Sequence, residues 1–280
     1  MKLSAQKLFF LLLIICCSSA LIAQQDSTQT DAEALAVKLS NPAAVVGTMN
    51  FFPDFTRYTG THPDAEQSAF GITFQPALPV PLKNGMGLFI RPLIPIIFTS
   101  PVPTNGGTEF ESSGVQLGNI GFDFSVGKTN EKGFMYLVGI AGVIPTATHP
   151  EMEGQMALGP ELALASVQKD FVYGVLISQL WGVQNVAEKT NVLNGQYFYA
   201  KPLGGGKVIG AGPTWSYNWT TKNLTLPLGT GYSVTKMVGK TPLKLGLQFW
   251  YYLARDDYFG SEWTIRFQIT PVVPLPWGNK

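Results

Sequence analysis

Long runs of alternating side chains constrain this chain more than any other feature. From Leu243 to Leu253 the odd positions are Leu243, Leu245, Leu247, Phe249, Tyr251 and Leu253, and the even ones are Lys244, Gly246, Gln248, Trp250 and Tyr252. Trp263–Ile269 repeats the pattern with Thr264, Arg266 and Gln268 on one side, and Ile120–Val126 does so with Asp123 and Ser125. Successive side chains of a strand point to opposite faces, so each run has an oily face and a more polar one. Runs of strand character fill 43–52, 69–79, 87–99, 114–127, 133–145, 156–168, 171–183, 195–203, 207–219, 223–235, 243–254 and 262–270. Each reaches the roughly nine residues that a tilted membrane-spanning strand needs, where soluble strands average about five or six. About twelve strands, an even number, can close antiparallel and leave no edge unpaired. A soluble sandwich would alternate in the same way with its oily face turned inward, so periodicity alone leaves both open.

Composition tilts the choice toward a membrane. Only 13% of residues are charged and 45% are apolar, against about 25% charged in ordinary soluble proteins. The one long apolar run, Leu8–Cys17, falls short of the roughly 20 residues of a spanning helix. It follows the basic start Met1-Lys2 and Lys7 and precedes small residues at Ser18, Ser19, Ala20 and Ala23, which is the order of a secretory signal peptide. Cleavage is expected after Ala23, with Ala20 as the second choice. Ile15 before Cys16 does not suit lipidation, which needs a small residue there. An exported, oily chain without spanning helices has one membrane solution left, a closed barrel of strands, because lipid tolerates no unpaired backbone groups. The expected organisation is therefore a signal peptide over 1–23, a polar N-terminal segment over 24–42 and a transmembrane β-barrel over 43–280. Within 24–42, Asp31 reads as the N-cap of a short helix, Ala32–Leu39, stopped at Asn41-Pro42.

Both cysteines, Cys16 and Cys17, fall in the expected signal peptide, leaving a mature chain without thiols although its destination is oxidising. Loss of Lys2 and Lys7 turns the formal charge of +1 slightly negative, which does not suit a nucleic-acid partner. Connections alternate in length: 53–68, 100–113, 146–155, 184–194 and 255–261 are long, with 220–222 a short exception. The turns at 80–86, 128–132, 169–170, 204–206 and 236–242 are short. Outer-membrane barrels have long outer loops and tight periplasmic turns. Aromatics gather at the run ends, Trp181, Trp219, Tyr251 and Trp263 toward the long loops and Phe134, Phe171 and Tyr173 toward the turns, as two interfacial girdles would require. Against the strand reading stand Pro76, Pro92, Pro95, Pro160, Pro202, Pro213 and Pro227, which cannot donate to a ladder and are expected to mark bulges or bends.

A set of segments occurs in order along the chain: Leu35-Ala-Val-Lys-Leu-Ser-Asn-Pro42, Phe74-Gln-Pro76, Ile90-Arg-Pro-Leu-Ile-Pro95, Gln116-Leu-Gly-Asn119, Ile144-Pro-Thr-Ala-Thr148 and Leu158-Gly-Pro160. Leu180-Trp181, Tyr217-Asn-Trp219, Gly239-Lys-Thr-Pro242 and the run Trp263–Pro271 follow. The set resembles a family of Gram-negative outer-membrane proteins usually labelled "transporter" and sometimes mislabelled neuromedin U. It is loosely similar to outer-membrane barrels proposed to admit phenolic compounds. The likeness covers nearly the whole mature chain. It departs at Asn119, where the family more often has Asp, and at the tail Val272–Lys280, which runs past the usual end. The resemblance implies a barrel in the outer membrane and no established solute.

With the oily faces turned to lipid, Arg91, Asp123, Glu161, Lys201, Lys244 and Arg266 are expected to face the lumen. They would either filter solutes by charge or fill and tie a narrow barrel as ion pairs. No catalytic residue, cofactor or metal site is expected. His62 and His149 each stand in a Thr-His-Pro within an outer loop, and no Gly-rich phosphate loop or metal-spaced cluster is present. The expected function is a passive channel or transporter for small molecules, the alternative a closed-lumen structural or surface-interaction barrel. The expected partners are outer-membrane lipids, lipopolysaccharide and the barrel-insertion machinery. The long connections carry mostly acidic residues and the short turns mostly lysines, so the two ends should differ in charge.

Overall fold

A computed structural model describes residues 27–184 and 189–277. The expected signal peptide lies outside the described residues. Among the described residues one α-helix, one large sheet and a small two-stranded hairpin make up the architecture. Helix α1 is Ser27–Lys38, and it starts earlier than expected, with Asp31 inside it and not at its cap. Residues such as Thr28 and Gln29 carry only a modest helix penalty, which lets the helix run back beyond Asp31.

The sheet closes on itself through twelve antiparallel staves. These are β1 Gly47–Thr59, β2 Ser68–Ala77, β3 Gly87–Thr99, β4 Ile120–Thr129, β5 Phe134–Ile144 and β6 Ala157–Val167. They continue as β7 Val172–Gly182, β8 Asn191–Gly204, β9 in two pieces (Lys207–Ala211 and Thr214–Asn218), β10 Asn223–Val238, β11 Thr241–Ala254 and β12 Gly260–Val273. Every stave pairs with its sequence neighbours, and β1 pairs with β12 from Gly47↔Val273 to Thr59↔Gly260, which completes the ring.

Alternation sorts the two faces as elementary strand geometry requires. On β11, Leu245, Leu247, Phe249, Tyr251 and Leu253 are exposed while Trp250 is buried. On β12, Phe267 and Ile269 are exposed while Thr264 and Thr270 are buried. On β6, Leu158, Leu162 and Leu164 are exposed while Ala157, Glu161, Ala163 and Ala165 are buried. The outside is thus an apolar belt, far larger than the few hundred Å² of contiguous apolar patch typical of a soluble monomer.

Three departures from the sequence reading have clear causes. Residues 43–46 are not strand: Ala43 packs inside the barrel against Phe89, Met135, Leu137, Ala163 and Ala165. Strand β1 instead runs on through Pro53 to Thr59, because Asp54 is not a loop acid but the register partner of Arg266. The run 114–127 is broken at 118–119: Gln116-Leu117 pair with β3 (Leu117↔Ile96, Gln116↔Ile97), and β4 proper begins at Ile120. Asn119 bends the chain there, donating to the Met152 carbonyl at 2.9 Å and accepting from the Thr146 and Ala147 amides at 3.2 Å each. The long connection 100–113 folds into its own hairpin, Pro101–Thr104 against Glu109–Ser112.

Candidate functional site: the barrel interior

Two kinds of surface line the inside. On the β3–β6 side, toward the short turns, the interior is dry: Phe89, Met135, Leu137 and Ala163 are almost fully buried in one cluster with Ala43, and Phe198 packs alongside. On the β10–β1 side it is polar. Thr56 and Thr264 share a hydroxyl hydrogen bond of 2.8 Å, Gln268 donates to Thr270 at 3.2 Å, and Thr270 donates to Asn50 at 2.9 Å.

Five of the six charged candidates line interior cavities. Arg91 on β3 donates from Nε to Asp123 of β4 at 2.8 Å, and its Nη2 stands 3.8 Å from Glu161 of β6. These three charges form a triad in which both acids are buried. Arg266 holds Asp54 through two hydrogen bonds, 2.8 and 2.7 Å. Its guanidinium lies 4.9 Å from the Phe52 ring and 4.3 Å from that of Trp250, so the cation is held between two rings. Lys244 of β11 faces the same cavities as Arg91, flanked in the ladder by buried Thr235 and Thr270. Lys201 is the exception. It is exposed, on the opposite face of β8 from Gln196, Phe198 and Ala200. The bulge between Pro202 and Gly204 falls just beyond it, so its outward place follows from simple alternation with Ala200.

The cavities are sorted by charge. One, of about 230 Å³, is lined by Phe52, Arg91, Phe198, Lys244, Gln248 and Arg266 among others. A second, of about 200 Å³, shares Phe52, Arg91, Lys244 and Gln268 with it. Among the described residues neither has an acidic residue in its wall. A third, about 420 Å³, holds Asp123 and Glu161 beside Arg91, with Trp215 and Tyr252. Leu39 and Pro42 line both of the first two cavities, so the chain leading into β1 forms part of their wall. Asn41 anchors it, donating to Thr129 Oγ1 at 2.9 Å, and Glu33 of α1 accepts from the Gly205 amide at 3.2 Å.

One wall of the interior is not a continuous ladder. Strand β9 pairs with β10 only over 207–209 and 216–218. Between them Pro213 has no N–H to give, and Gly212 turns its backbone to side chains, its carbonyl accepting from Gln196 at 2.7 Å and its amide donating to Gln248 at 3.2 Å. Two tyrosines of β8 span the gap to β10: Tyr197 donates to the Pro227 carbonyl at 2.9 Å and Tyr199 to the Gly229 carbonyl at 3.3 Å. Close packing here demands Gly195, since a Cβ at that position would stand 2.2 Å from the Trp215 ring. Of the strand prolines, Pro95, Pro202, Pro213 and Pro227 stand at the irregularities.

The aromatic candidates occupy the outside or the rim. Trp181, Trp219, Tyr251, Phe134, Phe171 and Tyr173 are exposed. Trp263 is half-buried between Phe55 and Phe249. Sequence reading missed the cluster at the long-loop end: Tyr58 stacks on Phe259, Phe259 on Phe110, and His62 meets Phe110 and Tyr258 edge-on. His62 is engaged at both ring nitrogens, with the Asp64 amide at 2.9 Å and the Gly107 carbonyl at 3.2 Å. His149 accepts from the Glu151 amide and starts a single 3-10 turn.

These features define a class: a closed twelve-stranded antiparallel barrel, apolar outside, with charged and amide side chains around cavities within. The fold is similar to that of a solved outer-membrane channel from Pseudomonas putida F1, with a TM-score of 0.59 and 12% identity over 82% of this chain and 96% of that one. A NanC porin aligns at TM-score 0.47 and 10% identity over 79% of this chain and 98% of that one. Outer-membrane phospholipase A from Escherichia coli aligns at TM-score 0.45 and 12% identity over 89% and 100%. No family model matches the chain, and no curated protein matches it in sequence.

Proposed function

We propose that this chain is a passive channel of a bacterial outer membrane, passing small molecules through its barrel. The observation that carries the reading is the inversion of an ordinary globule: apolar side chains outside, and Arg91, Lys244, Arg266 and amides around interior cavities. Lipid accepts such a belt, and only a closed sheet satisfies its backbone there. The low share of charged residues and the sequence resemblance support the same reading. Outer-membrane lipids, lipopolysaccharide and the insertion machinery are then its partners. A specific observation favours a second reading, a closed-lumen structural or surface-interaction barrel: the segment carrying Leu39, Pro42 and Ala43 lies within the barrel.

Reconstitution into planar bilayers separates the two. A channel gives stepwise conductance, and a closed barrel stays silent. Recovery of the mature chain in the soluble periplasm, and not with outer membranes, would sink both. The orientation expected from the acidic long loops places them outside the cell. Cells carrying Asn105→Cys should label with an impermeant maleimide and cells carrying Lys240→Cys should not.

A further inference from the structure

The interior charges do not cancel locally. Arg91 is answered by Asp123 and Glu161, and Arg266 by Asp54. Among the described residues Lys244 has no ion pair and no hydrogen bond, although it faces two cavities whose walls contain no carboxylate. Its ladder partners are Thr235 and Thr270, both uncharged. The next inward-facing position along β11 is Gly246, which brings no side chain, so the ammonium shares its cavity with Gln196, Gln248 and Gln268. A half-buried ammonium of this kind gains from an anion that pairs with it by charge-assisted hydrogen bonds. No segment among the described residues supplies one.

We infer that the chamber around Lys244 is a binding site for a small organic monoanion, a carboxylate with an apolar body. Arg266 is answered by Asp54, and both carboxylates facing Arg91, Asp123 and Glu161, lie in the adjoining cavity. Within its own cavity the Lys244 ammonium is met by no negative charge among the described residues, and one monoanion would match it. The amides of Gln196, Gln248 and Gln268 supply further donors for carboxylate oxygens. Phe52, Phe198, Leu39 and Pro42 line the same cavity and offer an apolar surface to the rest of the ligand. At about 230 Å³ the cavity admits a molecule the size of a benzene ring with one substituent. The inference rests on the channel reading only for its biological sense, since binding can be measured on a barrel that does not conduct.

The test uses the refolded mature chain in detergent, with benzoate and its uncharged analogue benzamide as probes, read by calorimetry. The wild type is expected to bind benzoate about tenfold or more tightly than benzamide, the discrimination of a charge-assisted hydrogen bond. Lys244→Met should erase that preference while keeping heat-modifiable migration, and outward-facing Lys201→Met should retain it. Equal binding of the two probes by the wild type overturns the inference, and so does a loss in Lys201→Met as large as in Lys244→Met. Bilayer recordings separate the two readings. A silent barrel that still discriminates benzoate removes the channel and keeps the site. A conducting barrel indifferent to charge removes the site and keeps the channel.

Discussion

The dry and the wet sides of the interior are built by different rules. Around Leu137 the barrel is filled as a globular core is filled, with Met135, Ala163 and Phe89 packed on Ala43. Around Gln268 it is filled by hydroxyls and amides that bond to one another and leave room. The dry side packs the N-terminal segment in place, and the wet side leaves open space. The Arg91 triad stands on the dry side's own staves, one step nearer the long loops. It joins β3, β4 and β6 by charge in a place where packing alone would have served.

That comparison predicts a ranking of damage. The largest effect should come from Arg91→Ala, which strands two buried carboxylates and should cost about 3–5 kcal/mol. It would be seen as a lower urea midpoint for the heat-modifiable form. Replacing Arg91, Asp123 and Glu161 together by apolar residues should restore most of the loss, and if it does not, the triad does more than neutralise itself. Next, Leu137→Ala should cost about 2–5 kcal/mol, since it opens a cavity in a packed site. Gln268→Ala on the wet side should cost only about 1 kcal/mol in the same assay. Equal losses at these two positions would erase the distinction between the sides. Of similar size, Tyr197→Phe removes two bonds across the gap between β9 and β10, one to the Pro227 carbonyl and one from the Gly229 amide, and should cost about 1–2 kcal/mol. Faster amide exchange in residues 226–231 than in the fully paired β11 is the sharper readout of that change.

Legibility of the sequence followed the same division. On β11 and β12 the inward positions are polar, so alternation exposed Lys244 and Arg266 at once. On β5 both faces are apolar, with Met135 and Leu137 inside and Val138 and Ile140 outside. Length and turns found that stave, and nothing in its pattern told which face was which. Asp54 was misplaced because its charge resembles a loop residue, and only the register with Arg266 reveals its partner, 212 positions away. Lys201 was placed inside because a lone lysine near a strand end carries no periodic signal of its own. Segment 43–46 was misread because Ala43-Ala-Val-Val46 is as apolar as a strand, and it buries itself by packing where a strand would pair. The aromatic cluster of Tyr58, His62, Phe110 and Phe259 draws on three separate connections, and no local pattern announces such a meeting.

The ladder between β1 and β12 has a consequence for how the molecule comes into being. Every other ladder of the ring joins strands that follow one another along the chain, so each can form as a local hairpin. The last ladder brings Gly47 to Val273, and its loop closure spans nearly the whole polypeptide, the slowest kind of contact to make. Residues 39–46 are tied directly to the start of β1, and their place is within the ring. A segment so attached is fully enclosed only once the ring is sealed.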